Sequence, residues 1–396
     1  MTPPVSARTA VADVPSAVPA VAGHVDLESH QDRTDLRGRS LSTVLMTTDA
    51  VGGVWRYTID LARGLRDRGV QTTVAVMGPA PSAAQRREAE SLGVHLVDRP
   101  FRLEWMEDPW ADVKRAGDWL LALERTVRPQ IVHLNGYSHA ALPWSVPVVV
   151  VAHSCVRTWW KAVKGEPAPP WLAQYTHEVA AGLAAACMVI APTAAMLDSL
   201  AAEYGRPRQS RVIPNGCGAI DSGEPPLGSK EPLIFSAGRV WDDAKNISAL
   251  SAVAAELTWP VYVAGECRQP GKSQAELHAV HLVGCLAQAD LAQWYRRASI
   301  YALPARYEPF GLSVLEAASA GCALVLGDIG SLRENWADAA LFVPADDHAA
   351  LGSAIQHLID DPETRMDLTR RAFARASSFT LNRTTEEYLR VYEGLI

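Results

Sequence analysis

Two carboxylates, Glu308 and Glu316, stand on either side of Gly311 in the run Leu303-Pro304-Ala305-Arg306-Tyr307-Glu308-Pro309-Phe310-Gly311-Leu312-Ser313-Val314-Leu315-Glu316. An apolar strand-like stretch ends near Leu303, and a helix is expected to begin near Leu312. Glu308 then lies beside the connecting loop and Glu316 about one turn into the helix. Carboxylates accept hydrogen bonds from hydroxyls, which sugars and ribose supply in quantity. The free N–H groups of a helix start attract anions. Taken alone, the same pair would equally suit a helix cap with a solvated glutamate.

Further residues offer related chemistry. Arg239 and Lys245 follow an apolar run ending at Gly238, where a forked and a point cation suit a diphosphate. Gly52 and Gly53 separate a strand-like run from a helical one, as a phosphate-cradling turn does, or simply a turn needing positive φ. His153 closes the apolar run 146–152, and His133 closes 130–134 with Asn135 just beyond. Strand-end groups of this kind face the cleft of an α/β domain, so His153 is the first-choice histidine there. His133 and Asn135 come second, on the acceptor side. Tryptophan is dense between 105 and 171, and core packing accounts for most of it. Trp159 and Trp160, with Lys161 and Lys164 after the His153 run, are the expected acceptor-side lip.

The segment from Glu308 to Glu316, continued by Ala317-Ala318-Ser319-Ala320-Gly321, resembles the E-x7-E signature of family 4 glycosyltransferases of the GT-B fold. Val283-Gly284, the run 298–304, Val212-Ile213-Pro214-Asn215-Gly216 and Gly52-Gly53 fit the same family, over residues 42–392. The resemblance implies a retaining transfer from a nucleoside diphosphate sugar, with a UDP-sugar favoured and no cofactor. It implies that Glu308 holds donor-sugar hydroxyls, Glu316 the ribose, and the amides of Phe310, Gly311 and Leu312 the sugar and phosphates. Arg239 and Lys245 would stabilise the leaving diphosphate, His153 would lie near the donor sugar, and Gly52 and Gly53 would approach it from the other domain. The pattern departs in two ways. The spacer from Val240 to Ala244 is one residue longer than usual, and Asn246 stands where the family has Gly.

The elements that must position these groups alternate. Strand-like runs fall at 41–46, 71–77, 94–97, 130–134, 146–152 and 187–191, with helical patterns at 57–68, 178–186 and 194–204 among them. A second series begins at 232–238 and continues through 261–264, 281–283, 299–303 and 323–326. Such alternation implies parallel sheets wound by helices. At 396 residues the chain exceeds one core. The expected organisation is α/β, two Rossmann-like domains facing a cleft. A disordered tail covers 1–39, an acceptor-side domain 40–222 and a nucleotide-sugar domain 223–380. A final helix, 381–396, packs back across them. The Gly- and Pro-rich stretch 216–232 is the linker.

A net charge of −7 argues against nucleic acid as partner. No apolar run reaches the ~20 residues of a membrane span and no signal peptide is evident, so peripheral membrane contact alone stays open. Six cysteines without a C-x-x-C pair suit reduced thiols in a cytoplasmic protein. No Asp-x-Asp or His/carboxylate cluster has metal spacing, so no metal is expected. The expected partners are a nucleotide sugar and a glycan, lipid-linked or small-molecule acceptor. The rival readings are a degenerate nucleotide-sugar scaffold, another enzyme of this fold such as an epimerase or phosphorylase, and an NAD-dependent oxidoreductase. The last is disfavoured by the missing G-x-G-x-x-G.

Overall fold

A computed structural model describes residues 40–218, 225–226, 228, 230–267 and 277–396. The expected tail at 1–39 and much of the expected linker lie outside the described residues. Seven strands build the first sheet: β1 (Thr43–Asp49), β2 (Gln71–Met77), β3 (His95–Arg99), β4 (Ile131–Leu134), β5 (Val148–Val151), β6 (Met188–Ala191) and β7 (Ser210–Val212). Six build the second: β8 (Glu231–Ala237), β9 (Val261–Ala264), β10 (His281–Gly284), β11 (Ala298–Leu303), β12 (Ala323–Gly327) and β13 (Leu341–Val343). Their orders are β3-β2-β1-β4-β5-β6-β7 and β10-β9-β8-β11-β12-β13. Neighbouring strands pair in parallel throughout, for example β1 with β2 and β8 with β11. Helices cover both faces, which is why Val148 to Val151 can be an unbroken valine run, buried on every side.

Each order reverses direction once, between β1 and β4 in the first sheet and between β8 and β11 in the second. At such a switch the flanking loops diverge and leave a crevice at the carboxyl ends of the strands.

The chain crosses between the sheets twice, and the two crossings run side by side. Cys217 N donates to Phe379 O at 3.1 Å and Leu381 N to Cys217 O at 2.8 Å. A Cβ on Gly216 would lie 2.4 Å from the Thr380 backbone, so only glycine lets the two strands of chain approach. Beyond this point the helix Leu381–Glu393 returns to the first sheet. Tyr388, Val391 and Tyr392 enter the same core cluster as Val44, Tyr57, Leu61 and Leu65. Gly64 meets Thr385 with no room for a side chain between the two helices. Among the described residues no helix is long and apolar enough to cross a membrane.

Candidate functional site

The crevice of the second sheet collects most of the residues singled out above. β8 ends at Ala237 and delivers Gly238 and Arg239; β11 ends at Leu303 and delivers the loop carrying Glu308. Gly311 sits at φ 88°, and a Cβ there would lie 3.0 Å from Val314 Cγ2, so this turn requires glycine. The turn brings the Gly311 amide to Glu308 Oε1 at 3.0 Å. The other carboxylate oxygen, Oε2, takes Lys245 Nζ at 2.5 Å. The helix Leu312–Ser319 starts immediately afterwards and carries Glu316, which accepts from Gln288 Nε2 at 2.8 Å. Burial raises the Glu316 carboxyl above its usual range, against the pull of Gln288 and of Arg56 on the first domain. Phe310 contributes only its backbone, because its ring is buried edge-on against Phe379.

The lengthened spacer has a local job. Asp242 is buried within it and takes Arg239 Nη2 at 2.6 Å and Nε at 3.2 Å on Oδ2, while Oδ1 accepts Ala244 N at 3.0 Å. Burial pushes the Asp242 carboxyl up, but Arg239 and Lys245 outweigh it and hold it below the usual range. The extra residue is absorbed in this turn, and Lys245 still reaches Glu308. Asn246 has φ 54°, a left-handed conformation that asparagine tolerates better than most residues after glycine. Its side chain earns its burial by donating to Pro304 O at 2.9 Å and Ala345 O at 2.7 Å.

The crevice of the first sheet faces this assembly. Gly52, at φ 75°, caps the helix Gly53–Arg66, and Leu312 Cδ1 lies 3.5 Å from the Cβ position of Gly53. The glycine pair thus meets the start of the Leu312–Ser319 helix. His153 closes β5 and packs edge-on against Tyr57 at 4.4 Å between ring centres. Asn135 Nδ2 spends its hydrogens on Thr47 O at 2.7 Å and Thr58 Oγ1 at 2.9 Å. Its Oδ1 must therefore accept, from His153 Nε2 at 2.9 Å and from His133 Nε2 at 3.0 Å. Both imidazoles carry their hydrogen on Nε2, which leaves His153 Nδ1 as an acceptor. Burial pushes His153 down to about 3 and His133 to about 4, so both are neutral at pH 7.

One acceptor-side expectation needs correction. His133 is fully buried, and its Nδ1 accepts the Tyr392 hydroxyl at 2.6 Å. It ties the last helix to β4 and does not reach the cleft. Asn135, half-buried beyond β4, orients the two histidines through its side-chain amide. Trp160 is half-buried, packing against the first domain's core and edge-on to the exposed Trp171. Trp159 does reach across the cleft, donating Nε1 to Asp242 Oδ1 at 3.2 Å, next to a Lys164–Asp243 pair at 2.6 Å.

Four residues at the cleft had not been singled out. Tyr307, beside Glu308, inserts its hydroxyl between Cys155 N at 3.1 Å and Thr158 Oγ1 at 2.8 Å. Glu334 caps the helix Ala194–Tyr204 of the opposite domain through Ala194 N and Ala195 N at 2.8 and 2.9 Å. Asp242 holds Arg239. Asp49 ends β1 facing Arg239, and burial raises its carboxyl to about 6 against the Val51 amide and that arginine. Tyr307 and Asp242 adjoin recognised motifs and were findable from that position; nothing in the local sequence marks Glu334. Among the described residues no group of three His, Cys, Asp or Glu side chains that could hold a metal comes together.

Known proteins resemble this chain in sequence and in fold. Residues 51–217 match the family model described as Glycosyltransferase Family 4, and residues 231–361 match Glycosyl transferases group 1. A D-inositol 3-phosphate glycosyltransferase of Frankia alni is 29% identical, over 87% of this chain and 95% of that one. A glycogen synthase of Mycobacterium tuberculosis is 27% identical, over 83% and 87%. Sucrose-phosphate synthase of Thermosynechococcus elongatus superposes with a TM-score of 0.73 at 19% identity, over 89% of this chain and 99% of that one. HepE of Anabaena, solved in complex with UDP and glucose, gives 0.69 at 16% identity, over 89% and 100%.

Proposed function

We propose that this chain, which belongs to the family 4 glycosyltransferases of the GT-B fold, takes its sugar from a nucleoside diphosphate sugar and passes it, with retained anomeric configuration and without a metal, to an acceptor hydroxyl. The observation that carries this reading is the assembly at the second crevice. Lys245, Glu308 and the Gly311 amide form one connected unit, with Arg239 at the neighbouring strand end. A diphosphate fits between the two cations and the amides of Gly311 and Leu312, where fixed positive charge offsets the charge that develops as the sugar departs. Glu308 has one oxygen on Lys245 and the other on a backbone amide, which suits a carboxylate that holds sugar hydroxyls rather than one that attacks. Glu316, half-buried one turn along, is placed for the ribose. His153 offers Nδ1 to a sugar hydroxyl from the opposite side.

In the transfer, the bond between the anomeric carbon and the phosphate oxygen breaks and its electron pair stays on the diphosphate. The acceptor oxygen bonds to the same face of that carbon, and its proton goes to the departing phosphate oxygen. Arg239 and Lys245 supply the charge stabilisation for which other enzymes use a metal. HepE, of the same fold, was solved with UDP and glucose, which favours a UDP-sugar here.

A panel of nucleoside diphosphate sugars tests this reading, scored by thermal shift, by release of the nucleoside diphosphate, and by the anomeric NMR signal of any product. Stabilisation by at least one donor, release undiminished in excess chelator, and a product anomer matching the donor are expected. Loss of activity with chelator would refute metal independence, an inverted product would refute retention, and no shift with any donor would refute the assignment as a whole.

A further inference from the structure

The spacer 240–244 is one residue longer than the family's usual form, and three of its side chains in succession have partners. The Trp241 ring lies against Arg239, whose guanidinium carbon is 5.3 Å from the ring centre. Asp243 takes Lys164 Nζ, which also stands 5.7 Å from the centre of the Trp159 ring. Between these two, Asp242 joins the domains. Its side chain is only 4% exposed, and its oxygens are divided. Oδ1 accepts from Ala244 N and, across the cleft, from Trp159 Nε1 on the helix Val156–Lys164. Oδ2 alone takes Arg239, through both Nε and Nη2. A guanidinium and a carboxylate pair best as two forks, with one N–H on each oxygen. With Oδ1 occupied that pairing is closed, and among the described residues Arg239 Nη1 donates no hydrogen bond. The arginine side chain is 41% exposed, so Nη1 stays open to a ligand.

We propose that Trp159 is a positioning residue for the leaving-group cation. From the first domain its indole N–H holds Asp242 Oδ1, which keeps Arg239 on the other oxygen and leaves Nη1 for the diphosphate. Trp159 acts only through Asp242. The proposal rests on the transferase reading above. Without the indole N–H, Oδ1 is a buried oxygen short of one donor. The guanidinium then turns to span both oxygens, and the stronger fork withdraws it from the crevice. The lengthened spacer supplies both ends of this link, Asp242 for the indole and Asp243 for the lysine that steadies the indole ring.

Calorimetry with UDP and with uridine on the full chain tests this, together with NMR of protein carrying isotope-labelled tryptophan. The variants are Trp159→Phe, Arg239→Ala, the two combined, and Asp242→Asn. W159F keeps a ring beside Lys164 and loses the N–H. UDP affinity is expected to fall roughly threefold to tenfold in W159F, since one charge-assisted contact to phosphate is weakened. Uridine, which has no phosphate, is expected to stay within about twofold of the wild type. The W159F loss for UDP is expected to vanish when Arg239 is already alanine, because the two residues act in series. The indole signal that disappears in W159F identifies Trp159, and that signal is expected to move in D242N. Unchanged UDP affinity in W159F would overturn the proposal, as would an equal loss for uridine, since Trp159 would then merely pin the domains together. The same loss in the R239A background, or a Trp159 signal that stays in place in D242N, would overturn it too. Failure of every nucleoside diphosphate to bind the wild type refutes the transferase reading and this proposal with it, whereas an Arg239-independent loss or an unmoved signal refutes this proposal alone.

Discussion

Replacing Lys245 with methionine keeps the aliphatic stem and removes the cation from Glu308. The pair is 2.5 Å apart, with side chains only 18% and 12% exposed. At an effective dielectric near 20, Coulomb attraction at that separation is about 7 kcal/mol before desolvation. Drawing both ions partly out of water returns most of it, leaving roughly 1–3 kcal/mol, the range of charge-assisted hydrogen bonds. A double-mutant cycle of K245M, E308Q and the pair, measured by urea unfolding, reads this coupling directly. In turnover the same substitution removes one of the two cations beside the leaving diphosphate, and a fall in kcat of about 10²–10³ is expected. Glu316 remains in place, so nucleoside affinity should fall much less. A coupling below about 0.5 kcal/mol, or a K245M enzyme with wild-type kcat, would refute the argument, the first for the pair and the second for the clamp.

Glu316→Gln should weaken nucleoside diphosphate binding by roughly tenfold, since an amide replaces one of the two acceptor oxygens offered to the ribose; calorimetry measures it. Gly311→Ala, at φ 88° and with a Cβ 3.0 Å from Val314, should cost roughly 1–3 kcal/mol in urea unfolding and misplace the amide facing the diphosphate. Acid should destabilise the fold through two histidines. His153 and His133 fall from 6.5 to about 3 and about 4 on folding, so stability is complete above pH 6.5 and is lost as pH falls towards those values. Each contributes a slope of up to about 1.4 kcal/mol per pH unit. Asp49, raised from 3.8 to about 6, acts in the opposite sense: its burial favours the fold at low pH, and that contribution disappears as pH rises through 6. D49N should therefore lose stability more steeply than the wild type between pH 6 and 4. Equal slopes for the two proteins in urea titrations would contradict the burial of Asp49.

The cluster proposed to hold the donor was legible as a cluster because its groups lie close together in sequence. A strand end, Glu308, Gly311 and Glu316 are local features, and topology only had to bring Arg239 and Lys245 alongside. Boundaries followed local chemistry less closely. The helix expected at 57–68 starts at Gly53, because Gly52 adopts the positive φ that caps it. The strand expected at 146–152 shortens to Val148–Val151. The first domain's side of the cleft was harder to read because its burial is decided at long range. His133 resembled a cleft histidine in sequence, and its partner Tyr392 lies 259 residues away. Trp159 and Trp160 are adjacent, yet one hydrogen-bonds across the cleft and the other lies half-buried against the first domain's core, since successive positions on a helix face different ways.

The return of the Leu381–Glu393 helix has a consequence for biosynthesis. Tyr388 and Tyr392, wholly buried in the first domain's core, are synthesised only after the whole second domain. Domains usually fold as they emerge, the N-terminal one first. Here the first domain waits, its Tyr57 and Leu61 surface uncovered, until the whole second domain has been synthesised. A nascent chain stalled short of Tyr388 should therefore be a chaperone client and protease-sensitive in its first domain, although that domain's entire sheet has already been made.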